Sequence, residues 1–406
     1  MRRSLLWPLA GLALGLAACG KATPQQSALK VYAAPTATPE KVAVAVVTKN
    51  TTRLGGADPA GDAAAVAEAV YPGLTAATRP QAVVLVNEAN WPAALAASAL
   101  AAAPLGAPLL YAHEGELPAA SAAALQAMNA TGAPTLGGAQ VIRVATTAPV
   151  PGHRVSEVSA AGDAAGAAAD VLGVVRAAQG KTPREVIVLD SSAARALQMP
   201  AAGLAALSGA PILFVSPAGI PPATAAALAS MRGAAIYVLG GAALGASVLS
   251  ELGHYGHVSK ITGEGSGFPA AAEASDPVAN AVAVSRFSEG SFGWGIHEAG
   301  HGLAFANATL PLSAPAAAPL SAHGDYAPLL LLSDRAAVPA TLARYLSNIE
   351  PGYTATVGPV REVYNHGWLI GDESAISARV QAEIDAILEV APRAPSSSEP
   401  SPALPE

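Results

Sequence analysis

The segment His297-Glu298-Ala299-Gly300-His301 has the residue types and spacing of a zinc peptidase. On a helix, two His four residues apart face one side and bind the metal, and the Glu between them serves as general base. That chemistry needs the helix. The run from Gly293 to Gly302 carries Gly at 293, 295, 300 and 302, and each Gly costs about 0.8–1.0 kcal/mol relative to Ala inside a helix. No nearby downstream His or Glu stands where a third ligand would be. Two readings follow: a zinc metallopeptidase using His297, Glu298 and His301, or a Gly-rich loop whose two His, joined by His366, lie at a binding face.

Other candidates are polar residues at recurring places. Asn87, Asp190 and Asn307 each end an apolar run, where open α/β sheets gather ligand-contacting groups. Asn90-Trp91 sets an aromatic beside a strand end, either as a stacking platform for a sugar or as a ring buried against a neighbouring module. Arg53, Arg154 and Lys260 stand near the starts of three successive blocks; they meet a polymeric anion or form salt bridges between modules. Leu-Gly-Gly lacks the Lys and Ser/Thr of a phosphate loop and reads as a tight turn. No Ser, His and Asp sit in a nucleophile-elbow pattern, and no cofactor is implied.

The elements that must position these residues repeat. Gly106-Ala107-Pro108-Leu109-Leu110, Gly209-Ala210-Pro211-Ile212-Leu213 and Tyr326-Ala327-Pro328-Leu329-Leu330 are versions of one block. Pro108 and Pro211 are 103 apart (211 − 108), and the same offset separates Val83 from Val186 and Leu136 from Leu239. Pro211 to Pro328 and Val186 to Leu303 both give 117, while Leu239 to Ile370 gives 131, so an insertion falls at about Glu350 to Asn365. Three copies of one folding unit follow.

Unit one reads as a buried strand at Val42 to Val47 and, after the segment Thr51 to Gly56, a helix from Pro59, capped by Asp58, to about Val70. A strand at Val83 to Asn87, helix Pro92 to Ala103, strand Pro108 to Tyr111, helix Pro118 to Met128, and a strand and turn at Thr135 to Gly138 complete it. Unit two repeats the order with strands at Val186 to Asp190, Pro211 to Val215 and Ile236 to Gly240. Unit three has strands at Leu303 to Asn307, Pro328 to Leu332 and Trp368 to Gly371, then a closing helix Ala375 to Leu388. Strands apolar on both faces, alternating with helices, mean α/β modules with parallel sheets covered by helices. By this register the His297 to His301 segment precedes a strand as a loop.

The chain has 406 residues, 52% of them apolar, with few aromatics and charges and a formal net charge of −7. An acidic protein is poorly suited to displacing counterions from nucleic acid, so no nucleic-acid partner is expected. Arg2 and Arg3 precede an apolar run from Leu5 to Leu16 that suits a signal peptide and is too short to span a membrane. The run ends Leu16-Ala17-Ala18-Cys19-Gly20, which resembles the lipobox of bacterial lipoproteins. That resemblance implies cleavage before Cys19 and lipid on its sulfur, holding the exported protein to the membrane's outer face in the cell envelope. The alternative is an ordinary signal peptide cleaved after Ala18. Cys19 is the sole cysteine, which excludes a disulfide framework and a cysteine-based metal site.

The repeated set of apolar strand, Ala-Leu-Ala helix, Gly-Ala-Pro-Ile/Leu-Leu, Leu-Pro-Ala or Pro-Pro-Ala helix start and Leu-Gly-Gly resembles the cell wall-binding repeat 2 family over about residues 41 to 390. The resemblance implies three tandem Toprim-like, Rossmann-like modules around a pseudo-threefold axis, binding an anionic cell-wall polymer without covalent attachment. Unit three departs from the pattern at Tyr326 and Asp372. The expected organisation is signal peptide 1–18, flexible tether 19–40, repeats 41–148, 149–258 and 259–390, and a disordered tail 391–406. The expected protein is a monomeric, non-enzymatic, lipid-anchored polymer binder; a scaffold for other envelope proteins and the zinc peptidase are the alternatives.

Overall fold

The structure is a computed structural model and describes residues 46–240, 243–262, 275–353 and 363–392. Cys19 and the segments expected to be signal peptide and tether lie outside these residues. The chain enters as an antiparallel pair, β1 (Val46–Val47) and β2 (Thr51–Leu54), followed by α1 (Pro59–Val70). Next come β3 (Val83–Asn87), α2 (Trp91–Ala97) running into a 3-10 turn at Ser98–Ala101, β4 (Leu109–Ala112), α3 (Ala119–Met128) and β5 (Val141–Val144). The same order recurs as β6 (Val155–Val158), α4 (Ala164–Gln179), β7 (Glu185–Asp190), α5 (Arg195–Gln198), α6 (Pro200–Ser208), β8 (Ile212–Val215), α7 (Pro222–Ser230), β9 (Ala235–Leu239) and α8 (Ala246–Leu252). The third passage is β10 (His257–Lys260), α9 (Pro277–Arg286), a hairpin of β11 (Ser288–Glu289) and β12 (Phe292–Gly293), then β13 (Gly302–Asn307) and α10 (Ser313–Ala322). It continues with β14 (Leu329–Leu332), α11 (Ala340–Asn348), β15 (Gly352–Tyr353), β16 (His366–Ile370), α12 (Ala378–Ile387) and β17 (Ala391–Pro392).

These strands form three main sheets, ordered β4-β3-β5-β6, β10-β9-β7-β8 and β1-β2-β16-β13-β14. All their pairings are parallel except β1 with β2. The expected α/β class with helix-covered parallel sheets therefore holds. The central strands are buried along their length, as in Val83–Val86, Val186–Leu189 and Leu303–Ala306, which is why they read as unbroken apolar runs.

The sheets are offset by one strand from the sequence repeats. β6, which opens the second repeat, pairs with β5 of the first; β10, which opens the third, pairs with β9 of the second. β2, at the head of the chain, closes the circuit by pairing with β16, placing Thr52 opposite Trp368 and Arg53 opposite Leu369. Pairing thus crosses both of the boundaries read at 148/149 and 258/259.

Several expectations are corrected by this arrangement. Thr51 to Leu54, given no element from the sequence, is a buried strand. Of the Val42 to Val47 run, Val46 and Val47 are described, and they form an exposed edge, 43% and 69% accessible. Thr135 to Gly138 is no strand: Pro134–Leu136 is a 3-10 turn ended by left-handed Gly137, and the strand is β5. Pairing aligns Val83 with Val141 and Val186 with Ile236, so Leu239 matches Val144. The 103-residue offset of Leu136 to Leu239 is a coincidence. β6, β10, α4 and α9 stand outside the expected pattern altogether. The tail expected to be disordered from 391 begins with β17 paired to β15; residues 393–406 lie outside the described set.

The repeated Ala-Pro block has a local cause. The residue before Ala-Pro has φ 56° at Gly106, 72° at Gly209 and 49° at Tyr326. A left-handed residue is needed where each helix turns into its strand, and glycine meets that need without a Cβ penalty. Hydroxyls then tie that strand to the next helix: Ser121 Oγ donates to Tyr111 O at 2.7 Å and Thr224 Oγ1 to Phe214 O at 2.6 Å. Between units, α6 packs along α10. Gly203 permits the approach, because a Cβ there would lie 2.7 Å from Ser321 Oγ. Ala101, Ala206 and Ala318, one from each passage, meet in a single buried cluster.

Candidate functional site

A crevice of about 240 Å³ opens at the carboxyl ends of the third sheet's strands, the usual ligand side of an open α/β sheet. Its walls come from the loop after β2 with the start of α1 (Gly56 to Pro59 and Asp62), the loop from β13 into α10 (Thr309 to Ser313), and the turn after β16 at Gly371, Asp372, Ser374 and Ala375. Arg195 of α5 reaches it from the second passage. The Gly55 and Gly371 backbones touch at its base: a Cβ on Gly55 would lie 2.5 Å from Gly371 Cα.

Two carboxylates belong to α1. Asp58 caps the helix, its Oδ1 accepting from Gly61 N at 2.8 Å. Asp62, one turn on, is 5% exposed and its Oδ1 accepts from Gly56 N at 2.9 Å. Burial pushes the Asp62 carboxyl up to about 7, and the charges of Asp372 and Asp58 push the same way. The Gly56 amide and the Ser313 hydroxyl pull it down. The crevice therefore holds a carboxyl that changes charge near neutral pH.

The strand-end residues are engaged in turns. Asp190 Oδ1 accepts from Ser192 N at 2.8 Å and Ser192 Oγ at 2.6 Å, and Asn307 Oδ1 accepts from Thr309 N at 2.9 Å and Thr309 Oγ1 at 2.8 Å. Asn87 Oδ1 accepts from Ala89 N at 3.0 Å. All three build the turn that leaves the strand, and they lie on three different sheets. Asn307 Nδ2 also donates to Ala375 O at 2.8 Å, whereas Asp190 Oδ2 is buried without a partner.

Asn90 caps α2 through Ala93 N at 3.1 Å and donates to Ala160 O at 3.2 Å. Trp91 is 3% exposed, with Nε1 donating to Gln198 Oε1 at 2.9 Å. Of its two readings the structure selects burial against the neighbouring module, and a ring so enclosed cannot serve as an open stacking platform. The Arg195 guanidinium lies 5.9 Å from its ring centroid.

The three cations are not equivalent. Pairing aligns Arg53 with Glu157 and Lys260, so Arg154 falls one step before β6. Arg53 is buried, donating to Gln381 Oε1 at 3.0 Å, Gly371 O at 3.0 Å and Asp372 O at 2.9 Å. Burial lowers its pKa, against the raising effect of Glu373 and Asp372. Arg154 is exposed and donates to Gly137 O at 3.1 Å, and Lys260 is exposed.

The His297-to-His301 segment is coil leading into β13, without the helix a zincin requires. Among the described residues no group of three or more His, Cys, Asp or Glu is placed to hold a metal. His301 and His366 do come together at the amino edge of the third sheet, where His366 N donates to His301 O at 3.1 Å. His366 Nε2 shares a hydrogen bond with Thr52 Oγ1 at 3.0 Å. Burial lowers both imidazoles from their ordinary value, against the raising effect of Glu298 on His301 and of Asp325 and Asp385 on His366.

Sequence reasoning passed over Asp62 and Arg195. Only the first left a usable signal: an acid inside the otherwise apolar Ala-rich run of α1, one turn after a capping Asp.

Among solved structures, the fold is similar to Cwp8 from Clostridium difficile, at a TM-score of 0.61 and 16% identity, with 84% of this chain and 52% of that one covered. It is likewise similar to Cwp6 from Clostridium difficile, at 0.62 and 16%, with 86% and 51% covered. This chain spans about half the length of those two, and at such identity the likeness is one of fold. Comparison with curated proteins gave no match. Among the described residues, no helix is long and apolar enough to cross a membrane. Residues 53–147, from Arg53 in β2 through β5 to Thr147, match the family model of Cell wall binding domain 2 (CWB2).

Proposed function

We propose that this chain is a non-catalytic protein of the cell surface that binds an anionic cell-envelope polymer without covalent attachment, held to the membrane by lipid on Cys19. The match of residues 53–147 to a cell wall-binding domain carries this reading. The three units, taken to surround a pseudo-threefold axis, offer their strand carboxyl ends to the polymer, and the crevice beside Arg195 is the contact we favour. The full chain, purified in mild detergent, is expected to co-sediment with purified insoluble cell wall and to release as salt rises. Equal recovery with and without wall at low salt overturns the reading. Cys19→Ala is expected to move the protein from the membrane fraction to the soluble fraction and to abolish labelling by radioactive palmitate; unchanged fractionation removes the anchor.

The buried cluster of Ala101, Ala206 and Ala318 favours a second reading. An apolar seal between units is what a scaffold for other envelope proteins needs. Affinity capture that enriches proteins and no glycan would select the scaffold over the polymer binder.

A further inference from the structure

We propose that the third-sheet crevice holds one hydroxyl-rich saccharide unit, whose hydroxyls donate to the Asp58 and Asp62 carboxylates while its carbon face lies against Pro59, Leu310 and Pro311. The inference rests on the envelope-polymer reading above and adds the place and chemistry of contact.

Comparison among the units carries it. Each helix that follows β2, β6 or β10 is capped by an Asp: Asp58 accepts from Gly61 N at 2.8 Å, Asp163 from Gly166 N at 2.8 Å and Asp276 from Val278 N at 2.9 Å. Counted from those caps, the position four residues on is Asp62 in α1, Ala167 in α4 and Asn280 in α9. Ala167 and Asn280 are each 1% exposed, and Asn280 Nδ2 spends itself on Leu197 O at 2.8 Å. The fold therefore accepts a methyl or an amide at this place. An acid is chosen only where the position borders the crevice, and burial works against its charge. A destabilising ionisable group beside a cavity is a mark of function.

The lining sets the ligand class. Carboxylates accept hydrogen bonds and donate none, so Asp58 and Asp62 call for hydroxyl donors. With Asp372 also in the wall and Arg195 as the cation among the lining residues, a phosphate inside the crevice meets net repulsion. The polymer's negative groups lie outside, towards the Arg195 guanidinium. A volume of about 240 Å³ is below the roughly 300–1,000 Å³ of sites for larger ligands, which suits a single ring.

Asp62 also makes the site pH-dependent. The groups facing it are Asp58 on its own helix, Asp372 from the turn after β16, Tyr111 from β4, the Ser313 hydroxyl of α10 and, at the crevice wall, Arg195. Raising pH from 6 to 8 converts Asp62 to the charged acceptor, so saccharide binding strengthens over that window.

The test is co-sedimentation of the full chain with purified insoluble cell wall at pH 6 and pH 8, using the unaltered protein, Asp62→Asn and Ala57→Trp. Ala57 is exposed at the crevice mouth, so the indole fills the crevice without entering the core. Asn stands naturally at the equivalent Asn280, so D62N is expected to fold, which its thermal unfolding checks. Affinity at pH 8 is expected to fall at least tenfold in both variants, and the rise from pH 6 to pH 8 to vanish in D62N. Wall binding by both variants at the unaltered level overturns the crevice and leaves the polymer reading standing. Absence of wall binding by the unaltered chain overturns both.

Discussion

The second and third units have exchanged an acid and an amide. In the second, the acid Asp190 ends the central strand and the amide Asn280 sits on the following unit's first helix; in the third, Asn307 ends the strand and Asp62 sits on α1. The exchange changes what each group can do. Asn307 satisfies both ends of its side chain, through Thr309 and Ala375 O, while Asp190 leaves Oδ2 buried and unpartnered. Asn280 is consumed by Leu197 O, while Asp62 borders a crevice with a carboxyl pushed up to about 7. The same backbone thus leaves an unpartnered oxygen at a turn in one unit and a carboxyl raised by burial at a ligand-sized opening in the other.

The strongest way to break this comparison is Asp62→Asn. Folding raises the Asp62 pKa from 3.8 to about 7, so between those values the native chain holds a proton that the unfolded chain has released. Stability contributed at this site therefore falls as pH climbs through that window and is flat above it. At about 1.36 kcal/mol per pH unit, D62N is expected to stabilise the protein at pH 8 by up to about 4 kcal/mol and to change little near pH 3. Urea midpoints at the two pH values check this; a gain independent of pH would show that Asp62 is not the group responsible.

Next in size is the cation at matched register. Arg53→Ala leaves Gln381 Oε1 and the Gly371 and Asp372 carbonyls without their donor and detaches β2 from the turn it grips; a cost of about 3 kcal/mol is expected. Lys260→Ala, at the exposed equivalent, is expected to stay within about 0.5 kcal/mol. Equal effects in denaturant melts would mean that the third sheet does not depend on β2.

Asp190→Asn replaces the unpartnered carboxylate oxygen by an uncharged amide NH2 and introduces the residue of the third unit. We expect a gain of about 1 kcal/mol, read from the same melts, and a loss would show that the carboxylate has a partner of its own. The smallest expected effect is at the repeated block: Tyr326 holds φ 49° with 56% of its surface exposed. Tyr326→Gly is expected to stabilise by about 1 kcal/mol by relieving left-handed strain, whereas Gly209→Tyr in the second unit should destabilise, since a Cβ there lies 2.9 Å from Gln179 Nε2.

The legible parts were those whose cause is local. Val83–Asn87, Leu303–Asn307 and the Pro-started helices declare themselves because a strand buried on both faces must be apolar throughout and a proline fixes a helix start. The strands Thr51–Leu54, Val155–Val158 and His257–Lys260 mix polar and apolar residues, and each pairs with the sheet of another passage, so no local pattern marks them. Leu136-Gly137-Gly138 imitates the turn at Leu239 in composition alone, and the same lapse of register promoted Arg154 to a place that belongs to Glu157. Trp91 was legible as an aromatic beside a strand end, but its partner Gln198 was not.

By itself, the sequence determined three repeats, their buried strands, the capping residues and the parallel α/β class, because each follows from hydrophobic pattern and backbone preference within a few residues. Tertiary structure decided which sheet each of these strands joins, the burial of Arg53 beside a turn 318 residues away, and the ionisation of Asp62. Hydrogen-bond ladders and desolvation depend on the neighbours the fold supplies, and those neighbours come from distant parts of the chain.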